Sequence, residues 1–496
     1  MRCLRVQSMR WPAAGALLVL AGLTGCGSQY RPVINPITKT GPPAQPLAYV
    51  AVFSQPGQQA ASADTDYPCP TQAYTNPGVV TVIDSSGESV AAQATLGNGP
   101  ITFAMDPSGS YAFSQNCDGT LSSMVISGSL MSKNVSTSAL LPGSRPINAL
   151  ILSSAEEYIV EQGGPDHNAI AAMNSNPPEL KTEISDVAPS VINLTGIPSG
   201  QRIYSISQGN SNGGNLAWGA CGDPSSVTVN GEADGIETSS NSISSRIPVG
   251  VCPVYGVTSP DGRRAFILNR GSGTITVINT QTNQLDTIDA SPYLNGTATI
   301  NLCNGAVPCN AGPVYADFYA PSNLLVVANY DNDTISIIDT SLVESGVGAG
   351  NDSPNFGKVL ATVPVGHQPA ALTVLQDSSN PRAYVANKGD GNVSVVSLTS
   401  FTPLSTITLP VRDGVTAQPR SIVSNFNYPI GKVYVSAQNS PYVTVIRTDT
   451  DVISAQILVQ GNVADIHINR QYAALVTSGA NANSQIDSRS VGSGAP

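Results

Sequence analysis

FILNRGSGTITVINTQTNQLDTI, residues 266–288, is the clearest copy of a unit that recurs along this chain. Three further copies read VVANYDNDTISIIDT from Val326, YVANKGDGNVSVVSLTSFTPLSTI from Tyr384 and YVSAQNSPYVTVIRTDTDVISAQI from Tyr434. Each copy contains β-branched runs separated by Gly, Asn and Asp, a pattern typical of antiparallel strands joined by hairpins. A repeat of about 45 residues that is built from strands predicts a β-propeller.

Junctions between the copies give an independent count of the repeats. The residues that mark the junctions are Pro100, Pro146, Pro189, Pro253, Pro313, Pro369 and Pro419. The eighth junction has Ala464 in place of the proline. Successive junctions are 43 to 64 residues apart, so the longer copies carry insertions. Proline suits the first residue of an innermost strand, where no ladder donor is required.

These junctions predict an all-β chain that forms one propeller of eight four-stranded antiparallel blades. Seven blades are the alternative, because residues 145–250 are the least regular part of the repeat. Third strands are expected to end near Asp84, Ile126, Asn174, Glu237, Asn279, Asp339, Ser397 and Arg447. We expect the strand that begins at Val463 to pair with the N-terminal strands near Tyr49 and Val80, which would close the ring.

The repeated stretches resemble the YVTN β-propeller repeat, a group similar to the lactonase-like propellers. The resemblance is carried by Tyr384-Val385-Ala386-Asn387, Val326-Val327-Ala328-Asn329, Ile338-Asp339-Thr340 and Ser259-Pro260-Asp261-Gly262. It is specific over about residues 250–460 and weaker over 47–250. The resemblance implies a fold, whereas activity differs between members and is not fixed by the fold.

The N-terminal segment has the features of a secretory signal. Three Arg precede an apolar run over residues 13–23 that is too short to span a bilayer. Leu23-Thr24-Gly25-Cys26 resembles the bacterial lipobox, which implies cleavage before Cys26 and acylation of its thiol. The alternative is an ordinary cleaved signal with Cys26 unmodified. Gly27 after this cysteine resembles the signal for the outer membrane, with the protein facing the periplasm or the cell surface.

The sequence thus divides into four parts. Residues 1–25 are the predicted lipoprotein signal peptide, and residues 26–46 combine the acylated cysteine with a Pro-rich, semi-extended tether. Residues 47–478 form the propeller. Residues 479–496, rich in Gly, Ser, Ala and Asn, are expected to be disordered.

Composition agrees with a secreted all-β protein and argues against nucleic acid as a partner. The chain has 22 basic and 33 acidic residues, and loss of the three Arg of the signal lowers the net charge from −11 to −14. Charged residues make up 11% of the chain, against roughly 25% in typical globular proteins. The 41% hydrophobic content is sufficient for the core.

Six cysteines remain after the signal is removed and Cys26 is acylated, and an even set in an oxidising compartment favours disulfides. With the strands of a blade named a to d from the channel outward, all six fall on b–c or d–a connections, which lie on one face. The predicted pairs are Cys69–Cys117, Cys221–Cys252 and Cys303–Cys309. Metal binding by these thiols is the competing interpretation, but CxxC and CxxCH motifs are absent, so neither a metal nor a cofactor is predicted.

Polar residues at the junctions are the candidate ligand-binding group. His367 lies in Gly366-His367-Gln368-Pro369, and Arg145, Gln418 and Arg420 lie at or beside equivalent junctions. Such a ring could bind an anionic or sugar ligand at the channel mouth; the alternative is that these residues hydrogen-bond neighbouring backbone. The repeated Asn269, Asn329 and Asn387 are predicted to cap turns.

No catalytic residue is predicted. Gly209-Asn210-Ser211-Asn212-Gly213 matches GxSxG but lies in a Gly/Asn-rich insertion, and Asp331-Asn332-Asp333-Thr334 occupies a hairpin turn rather than a calcium loop. The sequence therefore favours a membrane-anchored binding scaffold for a protein or glycan of the cell envelope over an enzyme. A lactonase-like hydrolase acting at the channel mouth is the alternative. A redox or quinone-dependent propeller is a third hypothesis.

Overall fold

The computed structural model describes most of the repeat region. The described residues are 49–57, 74–105, 111–126, 135–139, 145–153, 156–162, 168–175, 178–197, 199–209, 229–287, 291–294, 296–303, 309–343, 348–412, 414–425 and 431–468. Within them the regular secondary structure is β-strand, apart from one short 3-10 turn at Ala320–Ser322. No helix in these ranges is long and apolar enough to cross a membrane.

The first half of the chain supplies fifteen strands. Blade 1 receives β1 (Tyr49–Gln55), β2 (Pro77–Asp84) and β3 (Ser89–Asn98). Blade 2 consists of β4 (Pro100–Met105), β5 (Tyr111–Asn116), β6 (Thr120–Val125) and β7 (Val135–Ala139). Blade 3 consists of β8 (Arg145–Ser153), β9 (Glu156–Gln162), β10 (Asn168–Ser175) and β11 (Pro178–Ile184). Blade 4 consists of β12 (Val191–Gly196), β13 (Arg202–Ser207), β14 (Asn230–Glu237) and β15 (Ser242–Val251).

The second half completes the ring. Blade 5 consists of β16 (Pro253–Thr258), β17 (Arg264–Asn269), β18 (Thr274–Asn279), β19 (Gln284–Leu285) and β20 (Thr299–Asn301). Blade 6 consists of β21 (Pro313–Tyr319), β22 (Leu324–Asn329), β23 (Thr334–Asp339) and β24 (Val359–Pro364). Blade 7 consists of β25 (Pro369–Val374), β26 (Arg382–Asn387), β27 (Asn392–Ser397) and β28 (Pro403–Thr408). Blade 8 consists of β29 (Pro419–Asn425), β30 (Lys432–Ala437), β31 (Tyr442–Arg447) and β32 (Val452–Leu458).

The final strand, β33 (Asn462–Ile468), pairs antiparallel with β1 and becomes the innermost strand of blade 1. Val50 lies opposite Ile468, and Gln55 lies opposite Asn462. The predictions of eight blades and of closure by this strand are confirmed. The proline junctions are also confirmed for five inner strands, which begin at Pro100, Pro253, Pro313, Pro369 and Pro419.

Blade 5 differs from the predicted four-stranded blade in its outer strand. Two short strands, β19 and β20, pair with different parts of β18, so residues 286–298 interrupt the outer strand itself. The d–a connection starts only after Asn301. The interruption begins at Asp286, whose carboxylate accepts a hydrogen bond from the buried guanidinium of Arg264 at 2.5 Å.

Apolar side chains fill the space between neighbouring blades. Phe266 of blade 5 meets Phe318 of blade 6 with ring centroids 5.6 Å apart. Tyr255 and Tyr315, on the inner strands of the same two blades, stack at 4.9 Å. Both faces of each sheet are buried, which explains why β16, β17, β21, β22 and β25 contain only buried residues.

In four blades the last residue of strand b is an asparagine whose side chain forms hydrogen bonds across the turn to strand c. These residues are Asn116, Asn269, Asn329 and Asn387, and each is largely buried. Asn329 Nδ2 donates to Thr334 Oγ1 at 3.0 Å and to Ser336 Oγ at 2.9 Å, and Asn269 and Asn387 donate to residues at the same spacing. Asn116 donates in the same way to Thr120 and Ser122, each one residue closer in the sequence. This repeated contact spans the b–c turn, as expected for turn-capping residues.

In four blades the first residue of strand b joins the blade to the next one. It is a cation that reaches the c–d connection of the following blade. Arg202 Nη1 donates to Thr280 O at 2.7 Å, and Lys432 Nζ lies 2.9 Å from Glu88 Oε1. Arg264 and Arg382 pair in the same way with Asp352 and Asp451.

Inner strands are joined by side chains that accept hydrogen bonds from the backbone of the next blade. Asn148 Oδ1 accepts the amide of Leu194 at 3.2 Å, and Asn193 Oδ1 accepts that of Gly256 at 3.3 Å. Asp317 Oδ2 accepts the amide of Val374 at 2.9 Å. These amides lie on innermost strands, whose channel edge has no further strand to pair with.

We predict that Asn329→Ala lowers the free energy of unfolding by about 1–3 kcal/mol, because it removes the buried donor shared by Thr334 and Ser336. The exposed Asn332, in the same turn, is the control, and Asn332→Ala should cost less than about 0.5 kcal/mol. Urea unfolding of both variants measures the difference. Equal effects would contradict the role given to the last residue of strand b.

Candidate functional site

Connections b–c and d–a lie together on one face of the propeller, which we call the b–c face; the a–b and c–d connections form the a–b face. The b–c face carries every described cysteine. Cys117 lies between β5 and β6, Cys252 between β15 and β16, and Cys303 and Cys309 between β20 and β21. Covalent cross-links in the described residues are thus confined to this face.

The predicted disulfide between Cys303 and Cys309 is present, with the two Cα atoms 5.5 Å apart. Cys117 and Cys252 are also disulfide-bonded. Their predicted partners, Cys69 and Cys221, lie outside the described residues, as do Cys26, His167 and Ser211. Lipidation and those two pairings therefore stay predictions.

Two of these cysteines pack against one glycine turn of blade 5. Gly273 has a φ of +63°, and a Cβ atom there would lie 2.4 Å from Cys309 Sγ. A Cβ at Gly271 would lie 3.0 Å from Cys252 Cβ. This turn needs glycine because the backbone adopts a left-handed conformation against the disulfide-bonded segment.

Ion pairs continue across the b–c face from blade 5 to blade 6. Arg270, in the turn of blade 5, donates from Nη2 to Asp331 Oδ1 at 2.8 Å and from Nε to Asp331 Oδ2 at 3.1 Å. Its guanidinium also lies 4.9 Å from the centre of the Tyr330 ring. A bidentate pair of this kind fixes the orientation of both turns.

His367 lies on the same face, in the d–a connection between blades 6 and 7. Its Nδ1 lies 2.9 Å from Asp333 Oδ2, and its backbone amide donates to Asp390 Oδ2 at 2.8 Å. The side chains of His367 and Asp333 are 58% and 42% exposed, so the pair remains accessible to a partner. The hydrogen bond and charge of Asp333 raise the pKa of His367, which favours the protonated imidazole.

Gln418 and Arg420 contact other parts of the fold. The Gln418 amide donates to Asn439 Oδ1 at 2.9 Å, and its side-chain oxygen accepts from Gln438 Nε2 at 3.3 Å. Arg420 lies inside β29, is only 4% exposed and donates from Nη1 to Ala464 O at 3.3 Å. Arg145 is the first residue of β8.

Arg420 instead belongs to a polar group at the closing seam between blades 8 and 1. Ser421 Oγ donates to Asp465 Oδ1 at 2.8 Å, and His467 Nε2 lies 3.2 Å from Asp465 Oδ2. Asp465 and His467 are 2% and 3% exposed. Sequence analysis missed this group because its residues lie on β29 and β33, which meet only when the ring closes.

The insertion at residues 342–356, on the a–b face, is fastened to blade 5. Asp352 Oδ1 accepts a hydrogen bond from Arg264 Nη2 at 2.8 Å, and the ring of Phe356 lies 5.9 Å from the same guanidinium. Burial and the neighbouring Asp286 carboxylate raise the pKa of Asp352 to about 7. Asp352, the charged residue of this insertion that the structure describes, is therefore engaged within the fold.

Blade 3 holds an unexpected buried acid. Glu157 is the second residue of β9, at the position that is Ala265, Ala383 or Val433 in other blades. It is fully buried, and neither carboxylate oxygen has a hydrogen-bond partner. Burial raises the pKa of Glu157 well above its ordinary value.

Within the described part of the chain, no three His, Cys, Asp or Glu side chains converge so that they could hold a metal ion. The Ser421, Asp465 and His467 contacts also differ from a nucleophile–base arrangement, because the serine donates to the carboxylate and not to the imidazole. What the b–c face offers chemically is a set of oriented charges and amide groups suited to polar recognition.

Solved structures similar to this chain are β-propeller proteins. The structure of apo AztD from Citrobacter koseri aligns with a TM-score of 0.53 and 13% sequence identity, over 85% of this chain and 98% of that one. The dihydro-heme d1 dehydrogenase NirN in complex with DHE aligns with a TM-score of 0.51 and 11% identity, over 86% of this chain and 76% of that one. No protein-family model matches the sequence, and no curated protein gives a significant match. At these identities the likeness shows the fold alone.

Glu157 generates a prediction about pH. Because the pKa of Glu157 is higher in the folded than in the unfolded chain, the folded state keeps a proton that the unfolded state loses above about pH 4.5. Stability should therefore fall as pH rises from that value to the folded pKa, by about 1.4 kcal/mol per pH unit. Glu157→Gln should remove this contribution, so that the difference between variant and wild type grows from pH 5 to pH 8, measured by urea unfolding. A constant difference over that range would contradict the assignment.

Proposed function

We propose that this protein is a lipid-anchored envelope protein whose YVTN-type propeller binds a protein or glycan through the b–c face. The anchor rests on the lipobox-like Leu23-Thr24-Gly25-Cys26 segment, and the repeat type rests on Tyr384-Val385-Ala386-Asn387 and its copies. The outer membrane is the proposed location, with the propeller facing the periplasm or the surface. Neither a cofactor nor nucleic acid forms part of the proposal.

The observation that carries the binding proposal is that every described disulfide-bonded cysteine lies on the b–c face. On the b–c face, cross-linked connections surround turns whose charged groups are held in place yet exposed, as in the pair between His367 and Asp333. On the a–b face, the long insertion at residues 342–356 is tied down by Arg264. Rigid loops that present accessible polar groups lose little conformational entropy when they bind a partner.

The chemistry of this face favours a partner rich in hydroxyl, amide or charged groups. The His367 imidazole, with its raised pKa, offers a donor or a positive charge, while Asp333 and Asp390 offer acceptors. A hydrolase of the lactonase type has less support, because no acid, base and metal ligands converge in the described residues.

The test compares matched ion pairs on the two faces. The double variant His367→Ala with Asp333→Asn removes the ion pair on the b–c face. The asparagine keeps a side-chain oxygen that can accept the hydrogen bond from the Gln368 amide. Arg447→Ala with Asp449→Asn removes an exposed pair in the c–d connection of blade 8, on the a–b face. Capture from envelope extract with each full chain identifies the partner, and its affinity is then measured.

Binding by the b–c variant should weaken by at least about tenfold, or about 1.4 kcal/mol, while the a–b variant binds like the wild type. Weaker binding by the a–b variant, with unchanged binding by the b–c variant, would move the binding surface to the other face.

Cys26→Ser tests the anchor separately and should release the chain from the membrane fraction. A variant that still sediments with membranes would exclude Cys26 as the anchor.

A further inference from the structure

Large apolar side chains are exposed at the rim of the a–b face. Strand d of each blade begins at this face and strand c ends there, as the order of the connections requires. Five side chains near these strand ends are exposed, from 40% at Leu180 to 53% at Val452. We call these five residues the apolar rim: Val90 in β3, Val125 in β6, Leu180 in β11, Leu404 in β28 and Val452 in β32.

The apolar rim follows one continuous arc of the ring. Its residues belong to blades 7, 8, 1, 2 and 3, which are consecutive because the propeller closes between blades 8 and 1. In the described part of blades 4, 5 and 6, no exposed large apolar side chain lies at these strand ends. The insertions of blades 5 and 6 bury apolar side chains of their own, Leu294 and Phe356. The arc is therefore centred on blade 1.

The N-terminal chain joins the propeller at the middle of this arc. β1 is strand b of blade 1, so its first residue, Tyr49, lies at the a–b face. A Pro-rich tether between Cys26 and Tyr49 can reach on the order of 70 Å when extended, so it does not orient the propeller by itself. It holds the apolar rim at a high effective concentration beside the bilayer, where a weak contact is sufficient to choose an orientation.

Four ion pairs lie along the same rim, and they favour a bilayer without net charge. The pairs join Lys432 to Glu88, Arg382 to Asp451, Arg447 to Asp449 and Lys181 to Glu156. Paired charges cost less to bring beside an apolar phase than single charges do. The net charge of −11 over the full sequence opposes attraction to anionic headgroups. The surface that this rim fits is therefore that of a zwitterionic bilayer.

The b–c face also exposes apolar side chains, but without an entering tether. They are Val229, Val411, Val415 and Leu458, in or beside blades 4 and 8. Leu458 stands at the end of β32 opposite to Val452 and is the more exposed of the two, at 59%. Exposure alone would therefore favour contact through the b–c face, whereas the entry point of the tether favours the a–b face.

We propose that the apolar rim rests on the bilayer that holds the lipid anchor, with its side chains at the boundary between headgroups and acyl chains. This orientation rests on the anchor proposed at Cys26. The lipid holds the chain at the membrane, and the rim determines which face is turned to it, since binding at this boundary scales with the apolar area that enters it. The b–c face is then turned away from the membrane, where a partner can reach it.

Tryptophan fluorescence in vesicles tests the orientation. Val452→Trp and Leu458→Trp are each introduced into the full chain with Trp218→Phe, because Trp218 is the tryptophan that remains after loss of the signal segment. The acylated proteins are reconstituted in phosphatidylcholine vesicles that carry brominated acyl chains, whose bromine quenches a tryptophan at the boundary. Quenching should be at least about threefold stronger for Val452→Trp than for Leu458→Trp.

Charge substitutions test whether the rim acts as a unit. Val90→Glu with Leu404→Glu should weaken the quenching of the Val452→Trp protein by at least about twofold, because carboxylates oppose entry into the boundary. Val411→Glu with Val415→Glu is the matched control, since it adds the same charge on the b–c face, and it should leave the quenching unchanged. Thermal melting of each variant separates a change of orientation from loss of folding.

Flotation of the vesicles reports on the anchor separately. A chain that does not float with them would refute the anchor and this orientation with it. A chain that floats but shows equal quenching at the two positions, or stronger quenching at position 458, would overturn the orientation and leave the anchor standing. Quenching at position 452 that increases when anionic lipid replaces part of the phosphatidylcholine would overturn the choice of a zwitterionic surface.

Discussion

Antiparallel pairing between β33 and β1 joins the two ends of the described propeller in a single sheet. A blade cannot bury both of its faces alone, so every blade depends on a neighbour on each side. One apolar cluster combines Val50 and Val52 of β1 with Tyr434 and Val443 of blade 8 and Ile466 of β33. Without β33, this cluster would lose its central strand, and β1 would present an open edge.

Polar contacts reinforce the same seam. Lys432 reaches Glu88 and the carbonyl of Ser85, and Ser421 reaches Asp465. The first of these is the blade-to-blade contact that Arg202, Arg264 and Arg382 make elsewhere, so closure uses a repeated interaction rather than a special one. In four blades the first residue of strand b holds the next blade, and in four blades its last residue holds strand c of the same blade; blades 5 and 7 have both contacts. In blade 3, Glu156 is the first residue of strand b, and Glu161 directly precedes its last residue, Gln162.

Much of the fold could be predicted because the repeated sequence pattern follows from local structure. Third strands end within one residue of the positions read from the sequence, as at Asp84, Asp339 and Arg447. The pair Cys303 and Cys309 was also predictable, because the two residues lie six positions apart in one connection. Turn residues and alternating apolar runs determine these features over short distances.

Features that depend on distant residues could not be predicted. Blade 5 divides its outer strand where Asp286 turns toward Arg264, and that guanidinium is shared with Asp352, 88 residues away. The group around Asp465 and His467 likewise depends on closure of the ring. Among the candidate ligand-binding residues, His367 lies exposed on the b–c face, whereas Arg420 lies buried inside the seam. The position of a residue within the repeat does not by itself show whether its side chain is exposed or buried.

The most direct test of the central role of closure compares two truncated chains. One ends at Gly461 and lacks β33, and the other ends at Asn469 and keeps it. Amide hydrogen exchange would be followed in β1 and in β29 to β31. The account predicts that the chain ending at Gly461 loses protection in β1 and melts without a cooperative transition, while the chain ending at Asn469 behaves like the full chain. Equal protection of β1 in the two chains would contradict it.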